Sequence, residues 1–503
     1  MIEIDGEHLG IEQVVAVART GEGVSLAKRA RERIAASRKK VEEVLQSQEK
    51  VYGINTGFGE LADVRISPDQ IEALQANLIR SHACGVGEPL PEEAVRAMML
   101  LRANSLAKGY SGVRAEVVEK LLDALNQGFH PVVPSQGSVG ASGDLAPLAH
   151  VALAFMGEGA ARFGSMTMPA REALDRAEID PVVYQAKEGL ALINGTQMMA
   201  GLGCLALHDA QQLLKQAQIA GVMSLEALKG TDQAFAADIH RVRPHPGQVA
   251  VGQNLWKLTR GSDIIASHRD CPKVQDAYTL RCLPQVLGAV HDTLAHVHRV
   301  LEIEINAATD NPLVFDRVLS GGNFHGEPLA LALDLLGLAV ANLGCFAERR
   351  IARLVDEHLS GLPPFLTSNP GLQSGLMIPQ YVAASLVSEN KTLVHPASAD
   401  SIPTSANQED YQSMGATAAR HARCIVDNTQ RVVAIEFLTA AQALEFHDLQ
   451  PSPASRAART VIRKQVPPVT EDRSLAPDIE AIGTLIKKGT ILQAVEQEVG
   501  PLI

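Results

Sequence analysis

Leu329-Ala330-Leu331-Ala332-Leu333-Asp334-Leu335-Leu336-Gly337-Leu338-Ala339-Val340-Ala341-Asn342-Leu343 carries a single charged side chain. The run is too long for a strand. It uses leucine and alanine where strands favour β-branched and aromatic residues, so it predicts a helix. No face of that helix is polar, and a helix apolar all round must be surrounded by protein. The segment extends from Pro328 to about Leu359. Three others share its length and character: Gln197 to about Leu228, Pro284 to about Ala307, and Gln412 to about Glu445. Together they predict a mainly α protein with a central long-helix bundle, its surfaces completed by other subunits. Composition agrees. Hydrophobic residues are 46% of the 503 but aromatic ones only 4%, so the core is aliphatic and suits close-packed helices better than a sandwich.

The remaining chain divides around that bundle. Residues 1–196 read as a smaller mixed region of short helices and glycine-rich loops, 197–448 as the bundle, and 449–503 as a helical cap after a Pro451/Pro453 linker. A net charge of −12 excludes the basic stripe of a nucleic-acid binder. The acidic start, Met1 to Glu7, has no signal-peptide pattern. No apolar run is expected to be long enough to span a bilayer; the longest uncharged one, Gly189 to Leu207, is broken by polar residues and glycines. The six cysteines (Cys84, Cys204, Cys271, Cys282, Cys345, Cys424) form no CxxC pair, so reduced thiols in a cytoplasm are expected rather than disulfides or zinc. His296 and His298 stand two apart, off a shared helix face, and no metal is expected there.

Each long helix is preceded by a polar loop: Asn194-Gly195-Thr196, Gln275 to Cys282, Gly321 to Gly326, and Ser405 to Tyr411. Helix N-termini favour negative charge, so convergence of these loops would stabilise an anion. Upstream lies Gly137-Ser138-Val139-Gly140-Ala141-Ser142-Gly143-Asp144. Its glycines do not fit the dinucleotide, P-loop or hydrolase-elbow patterns. One reading is a turn into a helix N-capped by Asp144. The other is a self-made electrophile. The Gly143 nitrogen attacks the Ala141 carbonyl carbon, and loss of two waters, one carrying the Ser142 hydroxyl, leaves an exocyclic methylene. Ala141 is small, Ser142 has a β-hydroxyl to lose, and Gly143 bends freely.

The stretches Tyr52–Gly59, Ser81–Leu90, Gly137–His150, Asn194–Thr196, Gln275–Gly288, Gly321–His325, Ser374–Met377 and His395–Asp410 together resemble the aromatic amino-acid ammonia-lyase family, and within it the branch acting on histidine. The resemblance spans nearly the whole chain. It implies a carbon–nitrogen lyase that converts L-histidine to trans-urocanate and ammonia, the first step of histidine degradation. It also implies a 4-methylideneimidazol-5-one formed from Ala141, Ser142 and Gly143, no external cofactor, and a tetrameric helical-bundle lyase architecture with sites shared between chains. Carried over by motif, Tyr52 is the base for the β-proton, Tyr278 assists at the ring and amine, and Asn194 bonds the ring carbonyl. Arg281 pairs with the substrate carboxylate, Phe324 packs near the ring, and Gln275 and Gln408 make supporting polar contacts. His82 and Glu409 would each read as an ordinary loop residue alone; as a pair they imply an imidazole ring, since a carboxylate accepts its N–H. Met377 also matches the histidine branch. Tyr411 departs from it, standing where a histidine is usual, which bears on pocket shape. The alternative is a related tyrosine or phenylalanine ammonia-lyase or aminomutase.

Overall fold

A computed structural model describes residues 1–47, 50–57, 66–269 and 274–503. Phe58, Gly59 and Cys271, which entered the sequence reading, lie outside the described residues. The fold is mainly helical, as expected, and the four long helices span Gln197–Ala227, Leu283–Glu304, Glu327–Val355 and Gly415–Ala443. The last has 29 residues, or about 43 Å at 1.5 Å per residue, shorter than the roughly 50 Å that its apolar pattern suggests.

The chain forms two compact units, and each long helix starts in one and ends in the other. The first unit comprises 1–208, 297–334 and 396–421. Its strands are short: Ile2–Ile4 pairs in parallel with Val24–Leu26, and Val86–Pro89 with Pro134–Gln136 antiparallel. Phe129–Pro131, Ala160–Phe163 and Met166–Pro169 make a three-stranded antiparallel sheet. Its core is helical; in the Glu92–Ala107 helix every residue from Ala94 onward is buried.

The second unit comprises 209–296, 335–395 and 422–503. Glycines at 337 and 344 let two long helices approach. A Cβ on Gly337 would lie 3.0 Å from Ile425 Cδ1, and one on Gly344 would lie 3.1 Å from Thr429 Oγ1. Glycine inside a helix costs about 0.5–1 kcal/mol, which this close packing offsets. The Pro451/Pro453 segment is tied down: buried Glu226 accepts from the Ser452 amide at 2.6 Å, and Ser452 caps the Pro453–Arg463 helix.

One sequence expectation changes. The Glu327–Val355 helix is long and apolar enough to cross a membrane by length and composition, and 61% of its most apolar window is buried in the chain. Counting uncharged runs missed it because Asp334 interrupts the pattern. That carboxylate accepts from the Ser398 amide at 2.9 Å.

Candidate active site

The Gly137–Asp144 loop links the Pro134–Gln136 strand to the Leu145–Phe155 helix. Gly140 and Gly143 have φ of +71° and +72°, the left-handed region glycine tolerates. Neither could carry a side chain. A Cβ on Gly140 would lie 2.3 Å from Ser413 Oγ, and one on Gly143 would lie 2.2 Å from the Gly195 carbonyl oxygen. Gly143 and Gly195 form an isolated parallel bridge, and the Asp144 amide donates to the Gly195 carbonyl at 2.7 Å.

The starts of three long helices converge on this loop. The Met198 and Met199 amides donate to the Asp144 carboxylate at 2.9 and 3.0 Å. The Gly326 amide donates to the Gly140 carbonyl at 2.9 Å, and the Met414 amide to the Val139 carbonyl at 2.8 Å. The first-turn N–H groups that a helix leaves unpaired are thus spent on the loop. Asp144 precedes the Leu145–Phe155 helix, but its side chain makes no capping bond there. It caps the Gln197–Ala227 helix instead, a correction to the local reading.

Burial pushes the Asp144 carboxyl up to about 7, helped by Glu304, while the Met199 and Met198 amides and the Ser138 hydroxyl pull it down. An unfolded aspartate gives up its proton near 3.9, so the folded chain binds the proton more tightly. The stabilisation from that proton is full below about pH 4 and is lost as pH rises through about 7. Asp144→Asn should therefore flatten the decline in urea stability between pH 5 and 8. An unchanged pH slope would count against the protonated state.

A cleft of about 720 Å³ opens over Ser142, lined by Tyr52, His82, Asn194, Phe324, Gln408 and Glu409 among others. Tyr52 is held by a tight turn: the Val51 amide donates to Asn55 Oδ1 at 2.8 Å, and a Cβ on Gly53 would lie 2.7 Å from Leu190 Cδ2. The Ser142 hydroxyl donates to Glu409 Oε1 at 2.9 Å, across 267 residues of sequence. Thr404 Oγ1 donates to the other carboxylate oxygen at 2.9 Å. His82 ends the Ile71–His82 helix. Its Nδ1 lies 2.8 Å from the Leu78 carbonyl, which can only accept, so Nδ1 carries the proton and Nε2 is an acceptor. Burial lowers the His82 pKa, with the Leu78 bond and Glu409 opposing, and so favours the neutral ring.

Beneath the cleft, Asn194 Nδ2 donates to the Asn311 carbonyl at 3.0 Å. Buried Arg102 donates to the Asn194 carbonyl at 3.0 Å and to Gln197 Oε1 at 2.9 Å. Burial brings Arg102 down to about 10 against the pull of Asp310. Asp310 in turn pairs with fully buried Lys187 at 2.8 Å. Sequence reading missed Arg102, Lys187, Asp310 and Thr404. They sit in ordinary helix or loop patterns, and only folding brings them to the cleft or the layer beneath it.

Ala141 and Gly143 flank Ser142 without lining the cleft, and four further expected site residues do not line it either. Gln275, Tyr278, Arg281 and Met377 belong to the second unit. There the Tyr278 side chain is 68% exposed, with the Arg281 guanidinium 4.6 Å over its ring. Met377 opens the Met377–Leu393 helix, after a turn whose Ser374 and Gly375 amides donate to Asp472 at 2.8 and 2.9 Å. Tyr411 also stays out of the cleft lining. Its ring stacks on His325 with centroids 6.0 Å apart.

Residues 9–464 match the family described as Aromatic amino acid lyase. A histidine ammonia-lyase of Symbiobacterium thermophilum is 56% identical over 501 residues, covering 99% of each chain. The crystal structure of histidine ammonia-lyase from Trypanosoma cruzi superposes with a TM-score of 0.92 at 43% identity, covering 99% of this chain and 95% of that one. Tyrosine aminomutase from Streptomyces globisporus superposes with a TM-score of 0.94 at 38% identity, covering 99% of both. Backbone similarity is therefore equal for two chemistries, and the side chains of the cleft must discriminate between them.

Proposed function

This chain belongs to the aromatic amino acid lyase family, and from that premise we propose that it eliminates ammonia from L-histidine to give trans-urocanate. The observation that carries the reading is the meeting of Ser142, the centre of the tripeptide, with Tyr52, Asn194, His82 and Glu409 at one cleft.

The loop fits a 4-methylideneimidazol-5-one. Gly143 is pressed against Gly195 with no room for a Cβ, Ala141 is buried, and the Ser142 hydroxyl faces the cleft. Once formed, that group supplies an electrophilic methylene that turns the substrate amine into a better leaving group. Loss of the Ser142 hydroxyl also removes the donor that engages Glu409 Oε1. That oxygen is then open to accept a substrate N–H. Neutral His82 offers a second acceptor through Nε2. Acceptors there suit an imidazole, which has an N–H to give, better than a phenyl ring, which has none. Tyr52 takes the β-proton. Asn194, oriented by Asn311 and by the Arg102 and Asp310 layer, polarises the ring carbonyl.

The cleft lining contains no lysine or arginine among the described residues, yet the substrate carries a carboxylate. Arg281 is the cation assigned to it, its planar fork matching two carboxylate oxygens, with Tyr278 beside it at the amine. Family resemblance implies that these come from another copy of the chain in a homotetramer. Supporting that reading, Leu331, Leu335 and Leu338 on one helix are 52%, 41% and 48% exposed, an apolar row suited to a partner surface.

Purified protein incubated separately with L-histidine, L-tyrosine and L-phenylalanine tests the substrate by the near-ultraviolet absorbance of each unsaturated acid. Histidine should be turned over with kcat/KM at least about 100-fold above the other two, the discrimination expected when buried polar groups would otherwise go unpaired. Preference for tyrosine would transfer the assignment to the alternative reading.

A further inference from the structure

Arg281 and Tyr278 stand on a four-residue helix, Tyr278–Arg281, too short to hold its own geometry. We infer that a fully buried ion pair, Arg350 with Glu436, positions that helix through the Thr279 carbonyl, and so sets the angle at which Arg281 meets the substrate. The inference rests on the role of Arg281 proposed above.

Arg350 and Glu436 are both 0% exposed. The guanidinium grips the carboxylate in a fork, Nε to Oε1 at 2.5 Å and Nη2 to Oε2 at 2.8 Å. Ser224 donates to the same Oε1 at 2.8 Å. Three long helices of the second unit therefore meet at this point. The remaining nitrogen, Nη1, reaches the Thr279 carbonyl at 3.4 Å, next to the residues that matter. Carbonyls at a helix C-terminus lack intrahelical partners and favour a cation. The chain is also held on either side of that helix, at Asp276 and at Leu283. Asp276 accepts from the Thr231 amide at 2.7 Å. Gly221 lies where a Cβ would come within 3.1 Å of Leu283 Cδ2, so the Gln197–Ala227 helix gives up a side chain where Leu283 packs. Arg281 keeps its Nε buried with no hydrogen-bond partner among the described residues. Its guanidinium packs on the Tyr278 ring of the same short helix, so its direction follows the placing of that helix.

A buried ion pair is weak evidence of stability alone. Replacing both partners with apolar residues is often neutral, while removing one leaves an orphan charge. The test therefore uses the full-length Arg350→Met/Glu436→Met double variant, which removes the Thr279 bond without stranding a charge. Its Ala141–Gly143 peptide should still be lighter by two waters, and its assembly and melting should stay near normal. Its KM for L-histidine should rise by about 10–100-fold, the scale of a misplacement of about 1 Å. Arg281→Lys alone should also raise KM, and adding it to the double variant should cost little more, because both act on one contact. Unchanged KM and kcat in a folded, processed double variant would overturn the inference. So would full additivity with Arg281→Lys. An Arg281→Lys variant with normal KM would instead remove the role of Arg281, and the inference with it. If the double variant does not assemble, Arg350→Lys carries the test. A lysine there lacks the planar fork that engages both Glu436 oxygens and the Thr279 carbonyl in fixed directions, so KM should still rise; a normal KM there overturns the inference too.

Discussion

Ser142→Ala is expected to fold and assemble yet lose nearly all turnover of L-histidine. The loss should exceed the roughly 10²–10³-fold that follows removal of one stabilising donor, because no methylene can form without a β-hydroxyl to lose. Little structure depends on that hydroxyl. It is a single donor to Glu409, whose second oxygen keeps Thr404, so the stability change should stay within about 1 kcal/mol. Mass spectrometry of the peptide spanning residues 141–143 is the companion measurement. The parent chain should lack the mass of two waters, and the variant should not carry the full dehydration. Strong activity in Ser142→Ala would remove the electrophile from the mechanism altogether.

Tyr52→Phe separates the base from the electrophile. The peptide mass should show the same loss of two waters as the parent, since Tyr52 contributes no atom to the ring. kcat should drop by about 10²–10⁴-fold, the usual contribution of a positioned base. KM should change far less, as expected when an interaction made chiefly in the transition state is lost. A free phenol has a pKa of about 10, so Tyr52 needs donors or cations near its oxygen when substrate is bound. A near-normal kcat in Tyr52→Phe would assign the proton to another group in the cleft. Glu409 would then be the first to examine, because it is the carboxylate in the lining.

Much of this was legible in the sequence where the physics is local. Leu329 to Leu343 could be read as a buried helix because its composition leaves no face for water. Ala141-Ser142-Gly143 alone reads as a turn, and the resemblance carried by the flanking stretches is what implies a cyclising tripeptide. The polar loops were visible as breaks before apolar runs, and three of the helices that follow them do turn their first amides onto the loop at Val139 to Asp144. Spacing said nothing of Arg102, Lys187 and Asp310. Each looks like a surface charge in its own segment, and only burial pairs Lys187 with Asp310.

Asp144 marks the boundary between the two kinds of knowledge. From the sequence it is the residue before a helix, and capping that helix is the nearest use for its carboxylate. In the folded chain the amides of Met198 and Met199 stand closer to it than its own helix offers, and burial raises its pKa. The sequence by itself determined the helical class, the residue types of the site and the chemistry open to the tripeptide, since these follow from side-chain composition and covalent neighbours. Only the tertiary structure decided that Ser142 faces Glu409, that Asp144 serves a distant helix, and that Tyr278 and Arg281 stand in a different unit from Tyr52 and Asn194. Those facts depend on which segments share a packed interior, and hydrogen bonds between residues 54 to 267 positions apart leave no trace in local spacing.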